Sequence, residues 1–239
     1  MYNPKYTISN KILRYIGTVE ASKEIIDKAP LLPFYERKFQ SEAMVRSVHF
    51  GTRLEGNELD LNQAERVMLG QEVVARERDV QEVINYRNVM EFIGETYGDS
   101  PLKIESYSTT RPKNPQEMTE ELIRKLHVLT TDKILDAARI GVYRNTQVVV
   151  KNSMTGEVSF KPPLAVVIPH HMRELISFIN EGEADLHPVL KSGIVHFELV
   201  RIHPFIDGNG RVARALSTLI LFQNGYDIRK FFSLEEYYD

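Results

Sequence analysis

Two stretches of helix length, Pro188 to Ile202 and Arg211 to Asn224, flank and enter the most constrained run in the chain, His203-Pro204-Phe205-Ile206-Asp207-Gly208-Asn209-Gly210-Arg211-Val212-Ala213-Arg214. Proline is tolerated in the first turn of a helix and disfavours α geometry in the residue before it. Pro188 therefore opens the first stretch, and Pro204 places His203 just past its end. In the second stretch Val212, Leu216, Leu219 and Ile220 recur at helical spacing, and Gly225 supplies a natural stop. Gly208 to Gly210 then form a helix entrance. Orphan backbone N–H groups and the positive end of the dipole converge there, and glycine lets a ligand approach the main chain closely. An anion is the expected occupant.

Arg211 and Arg214 stand three apart, on neighbouring parts of one helical face, and two guanidinium forks above such a site suit a polyphosphate better than a single phosphate. Asp207 alone would repel that ligand. A divalent cation between carboxylate and phosphate resolves the conflict, so Mg²⁺ or Mn²⁺ is expected at Asp207. A free histidine titrates near ~6.5, which leaves His203 largely neutral near pH 7 and able to take a proton from a hydroxyl attacking phosphorus. Taken singly, each part has an ordinary explanation as a helix cap, a turn or a solvated face; their joint occurrence in one short run does not. The same run fits the dinucleotide fingerprint G-x-G-x-x-[GA] at Gly208 to Ala213. That motif requires a preceding strand and a βαβ context, whereas here a helix precedes it and only a short tail follows.

The run resembles the Fic-domain signature, His-x-Phe-x-[Asp/Glu]-Gly-Asn-Gly-Arg-x-x-Arg, at every defined position. The resemblance implies a mainly α fold, a Fic-type helical bundle with a small β-hairpin flap over the active site. It also implies transfer of AMP from ATP to a protein Tyr, Thr or Ser hydroxyl with release of pyrophosphate. On it, His203 is the base, Asp207 holds the metal and Phe205 anchors the loop in the core. Gly208, Asn209 and Gly210 line the α-phosphate hole, and Arg211 and Arg214 engage the β- and γ-phosphates. The related Doc-type kinases carry lysine where Gly210 stands, so Gly210 favours nucleotidyl transfer.

Upstream, Gly141-Val142-Tyr143-Arg144, then Val148, Val149 and Val150, a turn-rich Asn152 to Gly156, and Val158 and Phe160 read as a hairpin ended by Pro162 and Pro163. In the family such a flap pairs with an extended target segment, the strand-addition mode of recognition. Arg53-Leu54-Glu55-Gly56-Asn57 resembles the family's inhibitory element, [Ser/Thr]-x-x-x-Glu-[Gly/Asn]. Its glutamate, here Glu55, pairs with Arg214 and removes the fork meant for the γ-phosphate. The hydroxyl of the usual form is replaced by Gly51, with Thr52 one place later.

Candidate helices run near 8–28, 36–54, 61–70, 78–97, 115–130, 170–181, 188–202 and 211–224. The Ser-, Thr- and Pro-rich segment from Gly98 to Pro115 places a boundary near residue 100, between an N-terminal helical region (1–100) carrying the inhibitory helix (about 44–57) and a catalytic core (101–239). An apolar content of 42% over 239 residues suffices for one substantial core. A formal charge of −3 offers nucleic acid no general attraction, and no apolar run is long enough to cross a membrane. The absence of cysteine fits a reducing compartment, and the polar start Met1-Tyr2-Asn3-Pro4-Lys5 does not read as a signal peptide, so a cytoplasmic protein is expected.

His170, His171, His187 and His196 lack metal-ligand spacing. His187-Pro188 reads instead as a helix start and His196 as a core or supporting residue. Relatives of this type usually continue past a segment like Ser233 to Tyr237 into a helix that helps hold the base, which leaves base selectivity open here. Self-modification, with Tyr237 and Tyr238 as acceptors, and a homodimer are open too. The reading is thus an ATP- and Mg²⁺-dependent protein adenylyltransferase restrained by Glu55. Its alternatives are a nucleotide-binding regulatory module without turnover, or a Fic enzyme that removes AMP or transfers another phosphate-containing group.

Overall fold

The computed structural model describes residue 2 and residues 4–97, 117–151, 155–182 and 185–238. In chain order its elements are α1 (Asn10–Lys28), α2 (Pro33–Arg53), α3 (Leu61–Met68), α4 (Glu77–Tyr97), α5 (Glu120–Thr131), β1 (Val150–Lys151), β2 (Val158–Phe160), α6 (Ile168–Glu181), α7 (Pro188–Ile202) and α8 (Asn209–Gln223). Short 3₁₀ turns cover Ala165–Val167, Ile228–Lys230 and Glu235–Tyr237. The mainly α fold expected from the sequence is the fold observed. No helix among the described residues is long and apolar enough to cross a membrane.

Local chemistry sets the helix ends. Pro33 moves the start of α2 ahead of the expected position because proline is a first-turn residue. Thr119 delays α5 by accepting the Leu122 N–H at 3.1 Å as N-cap. Asp60 and Gln63 form a reciprocal capping box on α3. Gly208, left-handed at φ 78°, caps α8 and starts it at Asn209 rather than at Arg211.

α8 is the axis of the molecule. It is buried on all sides from Arg211 to Leu221, the signature of a central helix, and it packs against α7, α4 and α5. One apolar cluster joins Val48 of α2, Val83 and Ile93 of α4, Leu126 of α5, Leu199 of α7 and Leu216 of α8. Helices on both sides of the expected boundary near residue 100 therefore share a core; the boundary itself lies outside the described residues. α1 has no fully buried residue and is tethered through Arg229, which donates to the Ile26 and Ala29 carbonyls, and through Glu20, which accepts from Tyr226.

The hairpin is shorter than expected. β1 and β2 are antiparallel with Val150 opposite Phe160, and of the three expected flap residues only Val150 lies in a strand. Val148 and Val149 precede it. Continuing the register would set Val148 opposite Pro162, and proline has no N–H to extend the ladder. The Gln147 side chain closes the base instead, donating to the Pro162 carbonyl at 3.0 Å. Asn152, Ser153 and Met154 of the expected turn lie outside the described residues.

Candidate active site

α7 ends on His203, whose backbone is left-handed (φ 51°, ψ 59°), a conformation that costs an L-residue roughly 1–2 kcal/mol. Its neighbours hold it there. The His203 N–H donates to the Leu199 carbonyl at 2.9 Å, and its own carbonyl accepts Arg144 Nε at 2.8 Å. Arg144 is buried and also donates to the Thr146 and Pro163 carbonyls, while its N–H bonds the Pro204 carbonyl at 2.8 Å. One guanidinium thus clamps the base of the hairpin to the end of α7. His203 Nδ1 is buried and makes no aligned hydrogen bond, which leaves Nε2 as the nitrogen for chemistry. Burial, reinforced by the Arg144 charge, holds the imidazole below its ordinary pKa against the opposing pull of the Val200 carbonyl and the Glu55 and Asp207 carboxylates. A neutral ring at pH 7 follows.

The loop between α7 and α8 is fastened at three points. Asn209 is buried; its side chain accepts the Phe205 N–H and donates to the Phe205 carbonyl, each at 2.9 Å. Phe205 is fully buried and stacks on His127 with ring centroids 3.9 Å apart. His127 Nδ1 accepts the Gly141 N–H at 2.8 Å, so Nε2 carries the proton and donates to the Asp207 carbonyl at 3.1 Å. Burial lowers the His127 pKa to about 4, which keeps this tautomer neutral. At Gly208, a Cβ would lie 2.9 Å from Thr131 Cγ2, so α5 and the helix entrance meet only over glycine.

The first helical bond of α8 is Val212 N–H to the Gly208 carbonyl, so the amides of Asn209, Gly210 and Arg211 have no partner within the helix. The Glu55 carboxylate lies against this end. Its Oε1 accepts Arg214 Nη2 at 2.9 Å, and a Cβ on Gly210 would overlap that oxygen. Arg214 Nη2 also donates to the Gly51 carbonyl at 2.8 Å. Glu55 sits in the turn after α2, where Gly56 is left-handed at φ 90°. Asn57 ties that turn to α4 through the Asp79 carbonyl at 3.0 Å and Glu82 at 3.1 Å.

Asp207 sits in a ring of alternating charge. Its Oδ1 accepts the Gly208 N–H at 2.6 Å and lies 3.6 Å from Arg211 Nη2, while its Oδ2 accepts Arg78 Nη2 at 3.0 Å. Glu82 Oε1 closes the ring, 3.1 Å from both Arg78 Nε and Arg211 Nη1. Burial raises the Asp207 pKa, but Arg211, the Gly208 amide and Arg78 together hold it below the usual value. Among the described residues no group of three His, Cys, Asp or Glu could hold a metal ion. A divalent cation at Asp207 would therefore have one carboxylate ligand, with phosphate and water completing its shell, and that donor set suits Mg²⁺ or Mn²⁺.

Comparison with known proteins bears on this constellation. Residues 117–221 match the Fic/DOC family model. Over 195 residues the chain is 27% identical to "Protein adenylyltransferase fic-1" of Caenorhabditis elegans, covering 80% of this chain and 34% of that protein. A Fic family protein from Desulfovibrio desulfuricans G20 superposes with a TM-score of 0.76 at 25% identity, over 99% of this chain and 64% of that one. A Fic domain containing signaling protein from Bacteroides thetaiotaomicron VPI-5482 gives 0.70 at 26% identity, over 88% and 73%. The chain spans about a third of the length of the curated relatives it matches.

Within and beside this matched segment the structure brings together His203, Phe205, Asp207, Gly208, Asn209, Gly210, Arg211, Arg214 and Glu55. The Asn209 side chain is spent on the loop, which leaves its backbone amide as the group that could meet an anion. Gly51 also has a reason. The Tyr86 ring fills the space of its missing side chain, and its carbonyl takes Arg214; Thr52 Oγ1 turns back onto the Val48 and His49 carbonyls of its own helix. Arg78, Glu82, His127 and Arg144 were not legible as site residues. His187 caps α7, and His196 meets Ser217 Oγ at 3.3 Å.

Proposed function

We propose that the protein is a protein adenylyltransferase, transferring AMP from ATP to a Tyr, Thr or Ser hydroxyl of a target protein, held at rest by Glu55 on Arg214. The observation that carries the reading is the seat of the Glu55 carboxylate. The α8 entrance and Arg214 already hold an anion, supplied by the chain itself, where a nucleotide's phosphates would lie. The curated relatives named as protein adenylyltransferases support the reaction class.

His203 Nε2 accepts the proton of the target hydroxyl as its oxygen bonds the α-phosphorus; the bond from that phosphorus to the oxygen bridging to the β-phosphate breaks, and pyrophosphate leaves. The amides at the α8 entrance, Arg211 and Arg214 stabilise the charge that develops on the phosphates. A divalent cation at Asp207 would screen those phosphates further. Arg144 keeps the imidazole in register, and the flap around Val148, Val149 and Val150 takes the target segment. Self-modification on Tyr237, which is 81% exposed, uses the same chemistry. A charge-assisted contact such as Glu55–Arg214 contributes roughly 1.5–3 kcal/mol, so its loss should raise turnover about tenfold or more.

The test is transfer of label from α-³²P-ATP and Mg²⁺ to protein in a lysate. Label should rise at least tenfold with Glu55→Gly and vanish when His203→Ala is added. Mass spectrometry should find the added mass of AMP. A Glu55→Gly protein that binds Mg²⁺-ATP yet labels nothing would leave a nucleotide-binding module and remove the enzyme reading.

A further inference from the structure

Of the four residues in the charge ring around Asp207, one is free to move. Arg211 is 1% exposed and locked under the loop, Glu82 is buried and keeps Asn57 Nδ2 as a further partner, and Asp207 is oriented by the Gly208 amide. Arg78 stands apart. Its side chain is 57% exposed, it enters from the first turn of α4, and it lines a polar cavity of about 390 Å³ with Gln81 and Lys133. Its Nη2 holds Asp207 Oδ2, the oxygen that no backbone group engages.

We infer that Arg78 is a gate on the cation position. In the resting protein its guanidinium holds the Asp207 oxygen that a divalent cation would use, and the cation binds only as Arg78 swings out into the neighbouring cavity. The inference rests on the function proposed above and adds to it a second restraint, independent of Glu55. Charge and partnering favour the exchange. When Arg78 leaves, Glu82 Oε1 gives up its hydrogen bond from Arg78 Nε but keeps the Arg211 ion pair at 3.1 Å, Glu82 Oε2 keeps Asn57, and Asp207 retains the Gly208 amide, so neither carboxylate is left without a partner. When Arg78 stays, its positive charge both occupies the carboxylate and repels the cation. By mass action the apparent cation affinity falls with the fraction of molecules in the closed arrangement. No local pattern marks this role, because Arg78 and Asp207 are 129 residues apart.

The test measures binding and is independent of turnover. In the Glu55→Gly background, the Kd of a non-hydrolysable ATP analogue is taken by calorimetry with EDTA and again with saturating Mn²⁺, and the ratio of the two gives the coupling between nucleotide and cation. Arg78→Ala should raise that ratio about fivefold, the gain expected when a mostly closed population is released. Lys133→Asn removes a charge from the same cavity, keeps a residue that tolerates the left-handed backbone there (φ 57°), and should stay within about twofold of the parent. Asp207→Asn should collapse the ratio. An unchanged ratio in Arg78→Ala, with Asp207→Asn still collapsing it, would overturn the gate and leave the adenylyltransferase reading standing. An equal rise in Lys133→Asn would show a diffuse field in place of a gate. No effect of Asp207→Asn would remove the cation from Asp207 and the gate with it.

Discussion

Arg144 illustrates how one side chain can set the geometry of a proposed base whose ring it never touches. Its guanidinium takes the His203, Thr146 and Pro163 carbonyls at 2.7–2.9 Å, so it joins the strained end of α7 to both sides of the hairpin base. Arg144→Met keeps most of the volume and loses all three bonds. The His203 backbone should then relax from its left-handed conformation and carry Nε2 away from the α-phosphorus. Small displacements of a reacting group cost on the order of 10²-fold, so kcat for labelling should fall by about that factor while the nucleotide analogue's Kd stays within about twofold. A rise in Kd with kcat unchanged would move Arg144 from positioning the base to holding the ligand. The contiguous part of the site was legible because one turn carries His203 to Arg214. Arg144, His127 and Arg78 reach the same loop from 59, 80 and 129 residues away, and a single sequence carries no local sign of such pairings.

At the scale of elements, the restraint on Arg214 is a property of the turn after α2 as much as of Glu55. Asn57 is its fastener: one amide bonds Asp79 and Glu82 on α4, and the Asn57 Oδ1 accepts the Leu59 N–H at 3.1 Å. Losing buried hydrogen bonds of this kind costs about 1–3 kcal/mol, and here the cost falls on the arrangement proposed to be inhibited. Asn57→Ala should therefore raise labelling several-fold, less than Glu55→Gly does, with Glu55 and Arg214 both intact. Labelling at the parent level in a folded Asn57→Ala protein would show that α2 alone holds the glutamate. Helix spans such as Pro188–Ile202 were readable because proline, glycine and capping residues punctuate a 3.6-residue period. The strand was less so. Val148 and Val149 have strand propensity, but Pro162, where the register would continue opposite Val148, withdraws the donor that pairing needs.

For the whole molecule, burial of histidine around one shared core sets the response to acid. His127 and His196 are both held at about 4, chiefly by desolvation, and burial lowers His203 as well. Each binds its proton more readily in the unfolded chain, where histidine titrates near ~6.5. The stability they contribute is therefore full above about pH 6.5 and is lost as pH falls towards 4. For His127, fully buried with both ring nitrogens committed, the ceiling is about 3 kcal/mol. The depressed Asp207 carboxyl acts lower, losing its contribution only as pH drops below the ordinary carboxylate range. Glu235, raised by burial, has the opposite sign: its contribution is present below its unfolded value and declines as pH climbs through the folded one. Across pH 4 to 6.5 the histidines should dominate, so urea denaturation should give a free energy of unfolding that falls steeply between pH 7 and pH 4.5. His127→Gln, which cannot be protonated, should start less stable at pH 7 and fall with a shallower slope. Parallel profiles for the two proteins would place the acid sensitivity elsewhere and would show that His127 is not held neutral between Gly141 and Asp207.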